Sequence, residues 1–431
     1  MRRMARARIV AATVAVGLVL AACGAPTDAD GGQAGGSAEP APAATDLAAL
    51  DVERPAPDSP DVEQLAAGLN DVGYRLFAAA AGDSSDDLVL SPLSIGIAFG
   101  MADAGASGAT ADALADLFAY PVEGEARWLA FNALEQDVTD VGGPVVRLAN
   151  RQFPDTGFAT IDGYDERLAT YFGARVEPLP LKAESEPSRV RINDWVAEQT
   201  EDLISDLLPD GFLNAQSVLV LVNALYLEAD WASPFGKYPT EDADFTRLDG
   251  STVTVPLMHE LELNGPAVAT DTYAATEIPY EGNELSMLVV VPAEGSYAEI
   301  EARLGDGLVD EIDAAGEAQA VELFLPRFES DSNLDLRALI EGSLGAAGIF
   351  GAAGYDGIAP GITLESAVHA ADIAVDEQGT VAAAATALGF EESGPPEPEV
   401  TVRADRPFLY LIRHQPTGVV LFVGRVLDPS A

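Results

Sequence analysis

The spacing of apolar residues changes along the chain, from a helical period in the first half to strand-like runs in the second. After residue 60 the apolar positions repeat at helical intervals, at Leu65, Leu69, Val72 and Leu76. This spacing predicts an amphipathic helix that begins near Asp61. The pair Ser91-Pro92 predicts the start of another helix, because serine caps a helix and proline fits its first turn.

Strand-like segments predominate in the second half. They cover residues 218–227, 285–291, 321–325, 408–413 and 419–423. The turn Gln-Pro-Thr-Gly at 415–418 separates the last two segments and predicts a hairpin. Helices followed by strands indicate an α+β protein. We find no internal repeat and no linker-like break after residue 60, so residues 61–431 are expected to form one domain.

The N-terminus has the pattern of an export signal. Four arginines precede the apolar run 9–20, at Arg2, Arg3, Arg6 and Arg8. The sequence Leu-Ala-Ala-Cys at 20–23 then resembles the lipobox of bacterial lipoproteins. We therefore expect residues 1–22 to be a lipoprotein signal peptide outside the fold, and Cys23 to carry the lipid. The protein would be anchored to the outer face of the bacterial cell membrane, or released from it.

The amino-acid composition of the chain restricts the kinds of partner that it can bind. Residues 23–60 are rich in Ala, Gly, Pro and Asp without apolar periodicity, and are expected to be a disordered tether. The chain has 70 acidic and 23 basic residues, a net charge of −47. Such a surface repels nucleic acid and anionic lipid, so we expect no nucleic-acid partner and membrane contact only through Cys23. The acidity itself is explained by solubility or by a salty habitat.

A run of small residues near the C-terminus is unlike an ordinary surface loop. Residues 376–389 read Asp-Glu-Gln-Gly-Thr-Val-Ala-Ala-Ala-Ala-Thr-Ala-Leu-Gly, whereas loops usually carry polar residues that keep the backbone solvated. As a strand, the run would have small or apolar side chains on one face, at Thr380, Ala382, Ala384, Thr386 and Leu388. The alternative is one or two helical turns, since alanine is the best helix former, and the run alone does not decide between them.

Short motifs elsewhere decide in favour of the strand. They are Leu-Ser-Pro-Leu-Ser-Ile at 90–95, Asn-Asp-Trp-Val at 193–196, Leu-Val-Asn-Ala-Leu-Tyr at 221–226, Val-Pro-Leu-Met at 255–258, Leu-Pro-Arg-Phe at 325–328, Arg-Pro-Phe-Leu at 406–409 and Gly-Arg-Val at 424–426. Together with the hinge run, and in this order, they resemble the serpins, which trap proteases by inserting a cleaved loop into their own sheet. The resemblance implies helices packed on a large mixed β-sheet, further sheets and an exposed reactive loop.

The resemblance also implies roles for individual residues. The loop hinge would comprise Glu377, Gly379, Thr380, Val381, Ala382, Ala383, Ala384 and Ala385. A buried polar cluster under the point where strands part would comprise Ser91, Ser94, Asn223 and His369, with Trp231 where the hinge enters. Mutual hydrogen bonding is a sufficient reason for such a cluster. In this family the cluster would also gate strand insertion.

The position of the scissile bond is less closely determined, because the loop after Gly379 looks long for the family. Counting from the hinge glycine at the family's spacing gives Ser393 as the bait residue, with the bond to Gly394. A bond after Gly394 is disfavoured, since Pro395 lacks an N–H and fits most protease sites poorly. Glu392 and Glu391 are the alternatives. A serine bait suits a small primary pocket, which favours an elastase-like or subtilisin-like serine protease, although a cysteine protease is also compatible.

Nothing in the sequence favours catalysis. Three histidines are present, His259, His369 and His414, and none lies in a hydrolase, metal or phosphate motif. We expect no enzyme activity, no cofactor, no metal and a monomer. Two functions compete: a suicide inhibitor of serine-type endopeptidases, and a non-inhibitory binding protein with the same fold. A solute-binding lipoprotein would share the signal but should show repeated βα units.

Overall fold

The computed structural model describes residues 12–22, 52–82, 84–380 and 397–430. Within these ranges the helices are α1 (Val62–Ala81), α2 (Pro92–Asp103), α3 (Gly108–Phe118), α4 (Glu125–Thr139), α5 (Tyr164–Phe172), α6 (Ser185–Gln199), α7 (Tyr297–Ala302) and α8 (Val309–Ala315), with irregular helical turns at Leu304–Leu308 and Ala338–Ser343. No helix in the described part of the chain is long and apolar enough to cross a bilayer.

The strands make two large sheets. They are β1 (Ala12–Ala22), β2 (Leu88–Leu90), β3 (Val145–Pro154), β4 (Arg175–Val176), β5 (Ser217–Asp230), β6 (Glu241–Thr246), β7 (Thr252–Ala269), β8 (Tyr273–Pro279), β9 (Leu285–Pro292), β10 (Glu317–Pro326), β11 (Phe328–Asp335), β12 (Ile362–Val375), β13 (Gly379–Thr380), β14 (Val400–Arg403), β15 (Phe408–His414) and β16 (Val420–Val426). The helix starts, the strand segments and the C-terminal hairpin expected from the sequence are all present among these elements.

The first sheet has the strand order β11, β12, β1, β5, β3, β4, and β13 pairs with the end of β5. Its central strand β1 is antiparallel to both of its neighbours, so β5 and β12 run parallel to each other on its two sides. One face of the sheet lies in the main apolar core, which includes side chains from α1, α2 and α4. The other face packs under α6 in a smaller core. Both faces of the central strands are therefore buried.

The second sheet has the order β14, β10, β7, β8, β9, β15, β16, β2, with β6 paired to β7. The hairpin strands β15 and β16 are buried along their whole length, as are the eight residues of β9. Such uninterrupted apolar runs are expected where a strand is covered on both faces. This sheet thus lies entirely within the core along these three strands.

The central strand of the first sheet comes from the segment that the sequence marks as an export signal. Residues 1–22 were expected to lie outside the fold, whereas Ala12–Ala22 form β1. Its residues alternate between the two cores: one set, Ala12, Val14, Val16, Leu18 and Leu20, faces the main core, and the other, Ala15 and Val19, faces α6. The physical reason is that an uncharged apolar segment of strand length can pair the backbones of β5 and β12 and bury both of its faces.

Part of the expected tether contacts the folded domain. Residues 23–60 were expected to be disordered, but residues 52–60 belong to the described structure and contact α4. The side chain of Asn132 donates from Nδ2 to the carbonyl oxygen of Pro55 at 3.0 Å, and Arg54 reaches the carboxylate of Glu135 at 3.1 Å. A paired charge and satisfied backbone groups anchor a segment that lacks apolar periodicity. The folded unit therefore begins before α1.

Candidate functional site

The candidate site is the strand position at the centre of the first sheet. We call it the central slot: the position between β5 and β12 that β1 holds. At one end, Ala12 of the 11-residue β1 pairs with Leu227 of β5 and with Ile373 of β12. An occupant is buried on both faces, so an unpaired charge there would cost several kcal/mol. Small and apolar side chains are what the slot accepts.

The hinge lies at the entrance of this slot. Thr380 of β13 pairs with Ala229 of β5, two residues beyond the pairing of Leu227 with the end of β1. Trp231 fixes the preceding residues: its backbone N–H donates to the carbonyl oxygen of Gln378 at 2.7 Å, and its Nε1–H to that of Asp376 at 3.0 Å. The chain that leaves β12 is thus turned back toward β5.

The geometry at the entrance requires a glycine at residue 379 and gives the hydroxyl of residue 380 a hydrogen-bond partner. A Cβ atom on Gly379 would lie 2.1 Å from the carbonyl oxygen of Ala229, so only glycine allows β13 to approach β5 this closely. Thr380 is fully buried, and its hydroxyl lies 2.8 Å from the hydroxyl of Tyr280. The Tyr280 ring in turn stacks on Trp231 with a centroid separation of 4.5 Å. Two residues of the hinge are therefore already part of the sheet.

Glu377 anchors the hinge from the other direction. Its carboxylate accepts from Nε of Arg327 at 2.8 Å and from the hydroxyl of Thr240 at 2.5 Å. Burial raises the pKa of Glu377, but the hydrogen bonds from Arg327 and Thr240 outweigh burial and hold that pKa below its usual range. The carboxylate is therefore ionised at neutral pH. These contacts hold Glu377 in one place beside the end of β12.

Four polar residues meet beneath the middle of the slot, and we call them the gate cluster: Ser91, Ser94, Asn223 and His369. All four are almost fully buried. The backbone N–H of Ser91 donates to Nε2 of His369 at 3.1 Å, and the hydroxyl of Ser94 donates to Oδ1 of Asn223. The N-terminus of α2, which Ser91 caps, thus connects β12 to β5 across the slot. Strands on the two sides cannot move apart without disturbing these bonds.

The occupant of the slot passes directly over this cluster. Val16 of β1 pairs with Asn223 on one side and with His369 on the other. Directly opposed residues on neighbouring strands point to the same face of a sheet, and Val16 faces the main core. The side chain at this one position of the inserted strand therefore decides whether the gate cluster meets an apolar or a polar group.

Burial has a strong effect on the protonation of the gate histidine. It lowers the pKa of His369 to about 3. The ring is consequently neutral at physiological pH, as it must be for Nε2 to accept the hydrogen bond from Ser91. No group of three or more His, Cys, Asp or Glu residues in the described part of the chain is placed to hold a metal ion.

The site residues expected from the sequence fall into three groups. The structure brings Ser91, Ser94, Asn223 and His369 together in the gate cluster, while Trp231 stands apart from it at the hinge. Glu377, Gly379 and Thr380 lie between the end of β12 and the end of β5. The remaining candidates fall outside the described residues: Cys23, Val381, Ala382, Ala383, Ala384, Ala385, Glu391, Glu392, Ser393 and Gly394.

Sequence reasoning missed several polar residues that extend the gate cluster. Asn223 donates from Nδ2 to Oδ1 of Asn150 in β3 at 2.8 Å, and Asn150 donates to Oε1 of Glu135 in α4 at 3.2 Å. Tyr280, the hydrogen-bond partner of Thr380, was missed as well. These residues lie far apart in sequence and carry no local motif. A buried asparagine in a strand would have been the only signal.

Comparison with known proteins agrees with this geometry. The family model for serpins, described as serine protease inhibitors, matches residues 67–429. An uncharacterized serpin-like protein of Thermococcus kodakarensis is 31% identical over 369 residues, covering 84% of this chain and 85% of its own. Mouse antithrombin-III is 32% identical over 372 residues, covering 83% and 79% respectively. The crystal structure of Serpin48 from the insect Tenebrio molitor has a TM-score of 0.76 at 22% identity, covering 86% of this chain and all (100%) of that one.

The fold and the site define a class of protein in which one strand position of the main sheet can be filled from the same chain. The chain belongs to the serpin family. The α+β class expected from the sequence is confirmed by the structural neighbours, which cover nearly all of the folded part. Members of this family are in general protease inhibitors and not catalysts.

Acid should weaken the folded state through His369. The unfolded chain protonates this residue below about pH 6.5, whereas the folded chain keeps it neutral down to about pH 3. The stability that depends on the neutral ring is intact above pH 6.5 and is lost as the pH falls from 6.5 toward 3. The slope is about 1.4 kcal/mol per pH unit. Between pH 6.5 and pH 4.5 the free energy of unfolding of the wild type should therefore fall by about 2–3 kcal/mol more than that of His369→Gln.

The measurement is chemical denaturation of the full chain and of His369→Gln at the two pH values. His414, whose pKa burial lowers to about 4, contributes equally to both proteins and cancels in the difference. His259→Gln is the matched control, because His259 is only partly buried beside Glu322. Parallel pH profiles for wild type and His369→Gln would contradict the assignment.

Proposed function

We propose that this protein inhibits serine-type endopeptidases as a suicide substrate, by cleavage of its reactive loop and insertion of the loop into the central slot. The observation that carries the proposal is the register of the hinge. Gly379 pairs with Asp230 and Thr380 with Ala229, so β13 runs antiparallel to β5 toward the slot. A loop that continued this ladder would enter the position that β1 holds.

The continuation can be followed residue by residue. Each further loop residue would pair with the preceding residue of β5, so that Ala382 would pair with Leu227, as Ala12 of β1 does. Residues two apart along the loop would then face the main core in place of alternate β1 residues: Ala382 for Ala12, Ala384 for Val14, Thr386 for Val16 and Leu388 for Leu18. None of these side chains is charged, so none opposes insertion.

The length of the slot supports the choice of scissile bond. β5 begins at Ser217, and the same register pairs Ser217 with Glu392. A loop cut after Ser393 would therefore fill the available ladder and end one residue beyond it. Cleavage after Glu391 would leave the last position of β5 without a partner. The bond Ser393–Gly394 remains our first choice, with Glu392 as the nearest alternative.

The chemistry of trapping needs nothing from this chain beyond a cleavable peptide and a vacant slot. The protease serine Oγ attacks the carbonyl carbon of Ser393, the bond to the nitrogen of Gly394 breaks, and the leaving amine takes a proton from the protease. An acyl ester then joins the two proteins. If the loop enters the slot before water attacks the ester, the protease is carried away from the hinge and deformed. Speed of insertion therefore separates an inhibitor from a substrate.

The loop and β1 require the same slot, and only one of them can occupy it. We therefore assign inhibition to the form from which residues 1–22 have been removed. In the same proposal, cleavage before Cys23 follows export and leaves this cysteine available for a lipid at the outer face of the membrane. The favoured targets are extracellular elastase-like or subtilisin-like proteases, with a cysteine protease as a further possibility.

The alternative is a non-inhibitory binding protein that keeps the fold. It would require a residue in the hinge or loop that the slot rejects. Thr380 is small and hydrogen-bonded in the sheet, and the inserting residues that follow are alanine, threonine and leucine. Inhibition is thus the function that the hinge favours.

A covalent complex tests the proposal directly. The chain that begins at Cys23 should give a band that survives denaturing electrophoresis after mixing with an elastase-like or subtilisin-like protease. The full chain should give mainly cleaved product, since β1 fills the slot. Mass spectrometry should find a released fragment that begins at Gly394. Cleavage without any stable complex, for every protease tried, would refute inhibition, and a fragment beginning beyond Pro396 would refute the assigned bond.

The variant Thr380→Arg should convert the inhibitor into a substrate. An arginine here would be buried without a partner at the first paired position of the hinge, at a cost of several kcal/mol. The yield of covalent complex should fall at least tenfold while the loop is still cleaved. The increase in heat stability that follows cleavage should also be lost. Thr380→Ser, which keeps a hydroxyl for Tyr280, is the control and should behave as wild type. Full trapping by Thr380→Arg would show that our account of the hinge is wrong.

The register also gives Thr386 a specific role. In the slot its hydroxyl would come between Asn223 and His369, where it could join the gate cluster, whereas Val16 of β1 offers no polar atom there. Thr386→Val should reduce the stability of the cleaved, inserted form by about 1 kcal/mol, the usual net value of one hydrogen bond. The melting temperature of the cleaved protein measures this. The control Ala384→Val, one inward-facing position away, should not destabilise it, because β1 already shows that the slot accepts a valine there.

A further inference from the structure

A chain of buried polar contacts leads from the segment before α1 to the gate cluster. Its first member is Arg54. The guanidinium donates from Nε to Oδ1 of Asn132 at 3.0 Å, and from Nη2 to Oε2 of Glu135 at 3.1 Å and to the carbonyl oxygen of Tyr171 at 2.9 Å. Arg54 thus joins residues of α4 and α5 to a segment that has no helix or strand of its own.

The second part of the chain runs from Glu135 into the first sheet. The other carboxylate oxygen, Oε1, accepts from Nδ2 of Asn150 at 3.2 Å, and Oδ1 of Asn150 accepts from Nδ2 of Asn223 at 2.8 Å. Asn223 is a member of the gate cluster and is bonded to Ser94. An unbroken series of side-chain hydrogen bonds therefore connects Arg54 with the residue that faces the occupant of the slot.

We propose that Arg54 is a positioning residue for strand exchange: by keeping the Glu135 carboxylate charged, it fixes Asn150 and Asn223 and so holds the gate cluster closed. This deepens the proposed function, since it concerns the opening of the same slot. It assigns a regulatory role to residues 52–60, the part of the expected tether that is bound to the folded domain. A partner that displaced this segment would loosen the sheet at a distance.

The hydrogen-bond directions carry the argument. Every group that contacts the Glu135 oxygens in this chain of contacts is a donor: Nη2 of Arg54 on one oxygen and Nδ2 of Asn150 on the other. A protonated carboxyl would direct its O–H at one of these donors and lose that bond. The geometry therefore requires the ionised form, and the charge that acts on it comes from Arg54.

Burial opposes this requirement. Burial raises the pKa of Glu135 to about 7, although Arg54 and the hydrogen bond from Asn150 both lower it. Without Arg54 the carboxyl would keep its proton at higher pH, and the contact with Asn150 would lose its charge-assisted strength. The opposing effects of burial and of the groups that face Glu135 from α4, β3 and the N-terminal segment thus place its pKa near neutrality. Below that pH, Glu135 is protonated and the hydrogen bonds of the gate cluster should weaken.

Hydrogen exchange of the full chain between pH 5.5 and pH 9 tests the inference without a protease. Protection of β5 and β12 amides, corrected for the intrinsic pH dependence, should fall as Glu135 takes up its proton near pH 7. In Arg54→Ala this step should move to higher pH, with protection at pH 8 about three- to tenfold lower than in wild type, a range typical of coupled network residues. Arg54→Lys should restore the wild-type step, and Glu135→Gln should abolish it. Amides of β15 and β16 in the second sheet are the internal control.

A simple loss of stability would lower protection in both sheets at every pH and leave the midpoint unchanged, and that result would overturn the inference. A wild type without a step would overturn it as well. If Arg54→Ala does not fold, the other two variants decide the question. The step in amide protection should keep its wild-type midpoint in Arg54→Lys and should be absent in Glu135→Gln. The outcome is separable from the proposed function: protein that traps no protease can still show the step, and protein that traps one can lack it.

Discussion

The facing edges of β5 and β12 present backbone N–H and C=O groups that must find partners inside the protein. Because both strands are antiparallel to β1, they can meet each other only as parallel neighbours. A strand between them replaces one parallel ladder by two antiparallel ladders, which are somewhat more stable per residue. The position of β1 between them satisfies this constraint, and the proposed insertion of the loop would satisfy it in the same way. The hinge, the gate cluster and the apolar occupant are all arranged around it.

The polar residues of the gate cluster suit a sheet that must open. An all-apolar contact beneath the slot would hold β5 and β12 by packing alone, whereas Ser91, Ser94, Asn223 and His369 hold them by directional bonds. Such bonds are worth little net when satisfied and cost much when broken and left buried. Opening the sheet at this point would therefore carry the cost of breaking these bonds unless the groups find new partners. The neutral state of His369 keeps an additional charge out of this transition.

The sequence allowed the prediction of those features that are local or carried by ordered motifs. The start of α2 was predictable because Ser91 and Pro92 are a capping pair, and the hinge because Gly379 and Thr380 precede an uncharged run. Asn150 and Glu135 were not predictable, since their roles come from contacts between distant elements. The strand at Ala12–Ala22 was not predictable for a different reason: an export signal and a buried strand have the same apolar character, and the sequence does not show that the sheet offers this segment a place.

The two segments that fit the slot differ in how well they fill it. At the inward-facing positions β1 has Val14 where the loop would have Ala384, and burying the larger side chain is worth roughly 1–2 kcal/mol. Against this, the hydroxyl of Thr13 is buried without a hydrogen bond from any described residue, at a cost of about 1–3 kcal/mol, and the loop has Ala383 at the corresponding position. At these two positions the terms nearly cancel, so they give neither segment a decisive advantage. In the proposed mechanism, covalent removal of residues 1–22 is therefore the step that would transfer the slot to the loop, and it would couple inhibition to export.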